Sequence, residues 1–162
     1  TLQDIPYHPV KRSVSMLLAE FMVHTLNNEA KNTDLYNYIE HSIQWYDAAT
    51  DGYANFHLVF LLKLARFLGF APNTEDYTEG YCFDLTRGCF TPSEIHVDTL
   101  LCSTDATLLY HLSTTNYEAM STIAMSRHDR ARLIRYLAAY YELHTPAFPS
   151  IKSLEILQEV ME

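Results

Sequence analysis

Apolar residues recur at three- and four-residue steps along much of the chain, the spacing of helices that each bury one stripe. Pro9 stands where a helix can open without losing a backbone bond. Val14, Leu17, Leu18, Phe21, Met22 and Leu26 then mark a first stripe over about 10–26. Asn27, Asn28 and Asn32 read as a turn, and Thr33 as the N-cap of a second helix striped by Leu35, Tyr36, Ile39, Ile43 and Tyr46. Gly52 separates this helix from a third over about 54–68, which is apolar nearly all round. A helix without a polar face belongs at the centre of a bundle, so Phe56, Phe60, Leu64 and Phe67 are expected in the core. Gly69 is its C-terminal stop, with Pro72 beyond.

The period changes in the middle of the chain. Residues 81–85 and 89–90 alternate around the polar turn Thr86-Arg87-Gly88, which predicts a small β-hairpin that must lean on the helices. A loosely patterned connection follows over 93–103. Helical signals resume at Thr104-Asp105, at Thr115 (through Met120, Ile123 and Met125) and at Ser126, where the longest helix of this half runs to about Leu143. Ser150 is expected to cap a last helix carrying Ile151, Leu154, Ile156, Leu157 and Val160. The pattern therefore predicts a mostly α domain spanning 1–162, a bundle of about six or seven helices with a hairpin inserted at about 80–91.

Composition agrees. The 162 residues are 48% hydrophobic and 19% charged, which suffices for a core. Four glycines and six prolines disfavour an all-β sandwich. No apolar run approaches the ~18 residues of a membrane span. Three cysteines, an odd number, read as reduced thiols in a cytosolic protein. The chain opens on Thr1 rather than Met, which suggests a piece of a longer protein.

Candidate chemistry is sparse. Eight histidines invite a metal hypothesis, but none pair at i, i+4 with a third ligand nearby. His24, His41, His57 and His111 lie on or beside apolar stripes, as histidines at a core margin do. Cys82 and Cys89 form a Cys-x6-Cys pair, wider than a zinc knuckle; Cys102 is a third candidate ligand, and the sequence offers no obvious fourth. No phosphate-cradling glycine loop and no nucleophile elbow is present. These observations predict no catalytic residues, no metal and no cofactor.

Charge is uneven. The chain carries 11 Lys and Arg against 20 Asp and Glu, a net −9 that disfavours whole-surface attraction to nucleic acid or anionic membrane. Yet residues 127–152 hold five basic residues (Arg127, Arg130, Arg132, Arg135 and Lys152) against two acids. His128, Arg132 and Arg135 share one helix face opposite Leu133, Leu137 and Tyr140. A solvated face explains such a run; a phosphate or acidic-peptide site is the sharper reading. Lys63 and Arg66, bordering the central helix, form a second candidate pair in more apolar surroundings.

The stretch Phe56 to Asn73, the hairpin at 81–90, the ending Tyr140-Tyr141-Glu142-Leu143-His144 with 151–157, and the opening Ile5-Pro6-Tyr7-His8-Pro9-Val10-Lys11 follow one another in a familiar order. Together they resemble the C-terminal helical domain of the bacterial recombination mediator RecO, without its N-terminal OB-fold. The resemblance implies a non-enzymatic DNA repair and recombination module of the RecF pathway, cytoplasmic and nucleoid-associated. It implies partners in RecR and in the acidic tail of single-stranded-DNA-binding protein (SSB), with single-stranded DNA met mainly through the missing OB-fold. The activity implied is loading of recombinase and annealing of strands. Some members of that family hold zinc on four cysteines at the hairpin; only Cys82 and Cys89 fall there, so zinc is not carried over. An orphan helical interaction domain with a protein partner alone is the competing reading.

Overall fold

The structure is a computed structural model that describes residues 1–26, 31–92 and 99–155. Five α-helices are present among these residues: α1 (Pro9–Leu26), α2 (Thr33–Ala48), α3 (Phe56–Leu68), α4 (Ser103–Ser113) and α5 (Arg127–His144). Three short strands, β1 (Cys82–Asp84), β2 (Cys89–Thr91) and β3 (Leu100–Leu101), form an antiparallel sheet in the order β2-β1-β3.

The all-apolar α3 is the axis of the bundle. It packs against α1, α2, α4 and α5, and Phe56, Phe60 and Leu64 are fully buried. Phe67, expected with them, is half-buried, because it lies in the last turn and stacks on Tyr38 of α2 at 5.0 Å. Gly69 ends the helix at φ +91, a left-handed conformation that lets Phe70 N–H reach back to the Ala65 carbonyl at 2.9 Å. Within α3, His57 is buried in the core rather than at its margin. Burial, reinforced by the charge of Arg130, pushes its pKa down to about 3.

The hairpin does lean on the helices. Phe83 is fully buried and meets Phe90 at 4.9 Å and Tyr140 of α5 at 5.8 Å. Gly88, at φ +69 in the turn, sits so close to α5 that a Cβ there would lie 3.0 Å from the Tyr140 hydroxyl. His144 Nε2 lies 2.8 Å from the Leu85 carbonyl, and the Tyr140 hydroxyl donates to the Phe70 carbonyl.

At the opening of the chain, Lys11 is buried although it belongs to an otherwise apolar stripe. Its Nζ donates to Asp4 Oδ2 and to the Ala49 carbonyl, each at 2.6 Å, and lies 4.7 Å over the Tyr53 ring. Asp47 completes this clasp by accepting the backbone N–H groups of Gln3, Asp4 and Ile5 at 2.8–2.9 Å. Those bonds hold its carboxyl below the usual range.

Several expectations are corrected. Asn32, not Thr33, caps α2, its side chain accepting from Leu35 N–H at 3.0 Å. The helix expected from Thr115 reduces to a single 3₁₀ turn, Met120–Thr122. Side chains there compete for the backbone: Asn116 Oδ1 accepts from Ala119 N–H at 2.8 Å, and Asn55 Nδ2 takes the Met120 carbonyl at 3.2 Å. Within the connection after the hairpin, Leu100 and Leu101 form β3 by pairing with β1. The C-terminal helical turn starts at 153 rather than beside Ser150. The amides of Ser153 and of Lys152 just before it donate to Glu20 of α1 at 3.1 and 2.6 Å. The expectations placed on Asn27, Asn28, Ile156, Leu157, Val160 and most of the 93–103 connection fall outside the described residues.

Candidate functional site

Two groups of basic residues come out of the sequence, and the fold treats them differently. In the first, α5 opens on a capping box: Ser126 Oγ accepts from Asp129 N–H while Asp129 accepts from Ser126 N–H. These bonds, with Arg132 beside them, hold the Asp129 carboxyl below its ordinary range. Arg132 lies between two carboxylates. Its Nε and one terminal nitrogen reach both oxygens of the buried Asp105 at 3.3 and 3.1 Å, and the same terminal nitrogen bonds Asp129. Asp105 first, then Asp129, raise the Arg132 pKa further. Arg130 turns inward, donating to the Met125 carbonyl at 3.2 Å and to Asn55 Oδ1 at 3.5 Å. Arg127 and Arg135 are exposed and also engaged. Lys152 is exposed, its backbone held by Glu20. The α5 arginines are thus a positive run in which Arg132 is balanced by two carboxylates of the fold itself.

The second group shares a cleft of about 320 Å³. Helix α3 supplies Lys63, Arg66 and Phe67; α2 supplies Tyr38 and His41, one turn apart; residues 116–118 close the third side. The floor is aromatic. Tyr38 stacks on Phe60 at 5.5 Å and on Phe67 at 5.0 Å. Its hydroxyl donates to the Phe60 carbonyl at 2.9 Å and lies 3.0 Å from the Tyr117 hydroxyl, which is 2.7 Å from Ser42 Oγ. Burial drives both phenols up, so they remain neutral donors.

Lys63 Nζ lies 5.5 Å from the Tyr117 ring centre, within cation–π range. Burial lowers its pKa, the neighbouring Arg66 charge lowers it further, and Glu118 partly compensates. The ammonium is therefore only partly hydrated and is better stabilised by an incoming anion. Chemically, this cleft suits a ligand with an apolar end and a carboxylate. Of its parts, Lys63 and Arg66 are legible in the sequence. Tyr38 and Tyr117 are not, since their roles depend on contacts 79 positions apart.

No three His, Cys, Asp or Glu side chains converge as metal ligands among the described residues. Cys82 pairs with Thr91 and Cys89 with Asp84, so the two thiols sit diagonally across the hairpin rather than opposite each other. Among the described residues no helix is long and apolar enough to cross a membrane.

The family described as "Recombination protein O C terminal" matches residues 9–155. The chain is 44% identical to the DNA repair protein RecO of Phocaeicola vulgatus over 98% of its own length and 66% of that protein's. It is 42% identical to the DNA repair protein RecO of Bacteroides fragilis, with the same two coverages. A more distant relative, the DNA repair protein RecO of Porphyromonas gingivalis, is 30% identical over 95% of this chain and 64% of its own. The chain thus spans 66% of the length of the first two of these relatives. No solved structure matches it.

Proposed function

We propose, from the premise that this chain belongs to the Recombination protein O C-terminal family, that it is the helical binding module of a DNA repair and recombination mediator. It acts without catalytic turnover, by bringing partners together. In this reading it works in the cytoplasm, at the nucleoid and in the RecF pathway. It joins RecR and helps load recombinase onto single strands, while an OB-fold makes most of the DNA contact.

The Lys63–Arg66 cleft is the receptor for the acidic tail of SSB. One observation carries this: two cations, one helical turn apart, stand at the mouth of an aromatic slot formed by Tyr38, Phe67 and Tyr117. The apolar end of the tail enters the slot, and its terminal carboxylate meets the two cations. Glu118 on the rim repels the acidic stretch that precedes the end and so sets the direction of entry.

Titration of a tail peptide tests this. Charge-assisted contacts contribute about 1.5–3 kcal/mol each, so replacing Lys63 and Arg66 together by Ala weakens binding by about a hundredfold or more. Replacing Arg132 and Arg135 by Ala leaves the affinity within about threefold. The reverse pattern would move the receptor to α5.

A further inference from the structure

Arg130 of α5 lines a cleft of about 400 Å³. One wall is the turn from Thr50 to Asn55; the other is Ser121 with Ile123, Ala124 and Met125. One edge of the guanidinium is fixed, with Nη1 donating to Asn55 Oδ1 and the Met125 carbonyl. Asn55 is itself buried and anchored on the Met120 carbonyl. The Nε is different: it is buried and has no acceptor among the described residues. Buried donors without partners are rare in native folds and call for an occupant. Nε and the adjacent Nη2 make the edge with which arginine grips an oxyanion through two parallel bonds. His57, the buried neighbour whose proton affinity Arg130 depresses, stays neutral and supplies no balancing charge.

We propose that this cleft is a phosphate site anchored by Arg130, separate from the tail cleft at Lys63. A planar carboxylate would use the guanidinium edge alone. A tetrahedral phosphate has further oxygens for the Ser121 hydroxyl, which lines the same cleft. A free phosphate and a phosphorylated strand end share this chemistry and are the two sources to be told apart. Two acids stand nearby. Asp129 is tied to Ser126 and Arg132, whereas Asp51 lines the cleft and opposes the anion.

The test follows the Arg130 Nε–Hε resonance of the ¹⁵N-labelled chain while inorganic phosphate is added, with acetate and chloride at matched ionic strength as controls. Phosphate is expected to shift the signal saturably and at a lower concentration than acetate, and chloride to leave it in place. Asp51→Asn, at an exposed position where the fold is not at risk, is expected to tighten phosphate binding several-fold. Arg130→Gln is expected to abolish it. A 5′-phosphorylated oligonucleotide set against its 5′-hydroxyl counterpart separates the sources: a gain on phosphorylation assigns the site to a strand end, and equal binding assigns it to free phosphate. An unmoved resonance, an equal response to acetate, or an unchanged affinity in Asp51→Asn would overturn the proposal.

Discussion

The α5 arginine run and the Lys63–Arg66 pair differ in the opposite direction from the one their charge counts suggest. Helix α5 carries four arginines, yet Arg132 is held by the buried Asp105 and by Asp129. The cleft carries two cations and one acid at its rim, and its cations border aromatic rings with no carboxylate salt-bridged to Lys63 or Arg66 among the described residues. Charge bound inside the fold stabilises the fold; charge held beside an apolar slot is available to a ligand. The difference rests on Asp105, which sits two residues into α4 and is brought to α5 only by helix packing.

Substitutions in the two regions separate these roles. Phe60 lies beneath Tyr38 and is fully buried, so Phe60→Ala costs about 3–5 kcal/mol and removes the cleft floor with it. Denaturant melts check the first effect; unfolding near the wild-type midpoint would displace α3 from the centre. Arg132→Ala leaves the buried Asp105 carboxylate unbalanced, and because Arg132 itself is 44% exposed the cost is about 1–3 kcal/mol. That loss is expected in stability and not in affinity for the tail peptide, the opposite of the outcome expected for substitutions at Lys63 and Arg66.

Acid sensitivity also belongs to the Arg130 side. His57 has a folded pKa of about 3 against an ordinary 6.5, so the unfolded chain binds the proton first as the pH falls. Its contribution is intact above pH 6.5 and declines as the pH drops toward about 3, by at most about 1.4 kcal/mol per unit. Asp129 adds a loss of the same sign at lower pH, since its depressed carboxyl stabilises the fold only while ionised. Melting temperatures across this range, compared with His57→Gln, check the assignment: the variant's profile is flatter.

Much of the fold is legible from periodicity because its helices bury regular stripes. Helix α1 falls over Pro9–Leu26, α5 starts after Ser126, and the hairpin surrounds Gly88. Features made by tertiary contact are not legible. Strand β3 is two residues long and exists only by pairing with β1. The turn at 117–122 carries apolar spacing but lies where Asn55 and Asn116 capture its backbone. The burial of Lys11 is likewise set by tertiary contact, because Asp4 and the Ala49 carbonyl come to it from outside α1. The site divides in the same way. Lys63 and Arg66 announce themselves as cations on an apolar helix, whereas Tyr117 acquires its place only when the loop folds over α2 and α3.

The central claim is that the terminal carboxylate of the tail is read by Lys63 and Arg66, and a thermodynamic cycle tests it most directly. Tail peptides with a free or an amidated C-terminus are titrated into the wild type and into the Lys63→Ala, Arg66→Ala double variant. Amidation is expected to weaken binding to the wild type by about tenfold or more and to make almost no further difference in the variant, a coupling of more than about 1.4 kcal/mol. Losses that simply add, with amidation costing the variant as much as the wild type, would show that the carboxylate is bound somewhere else.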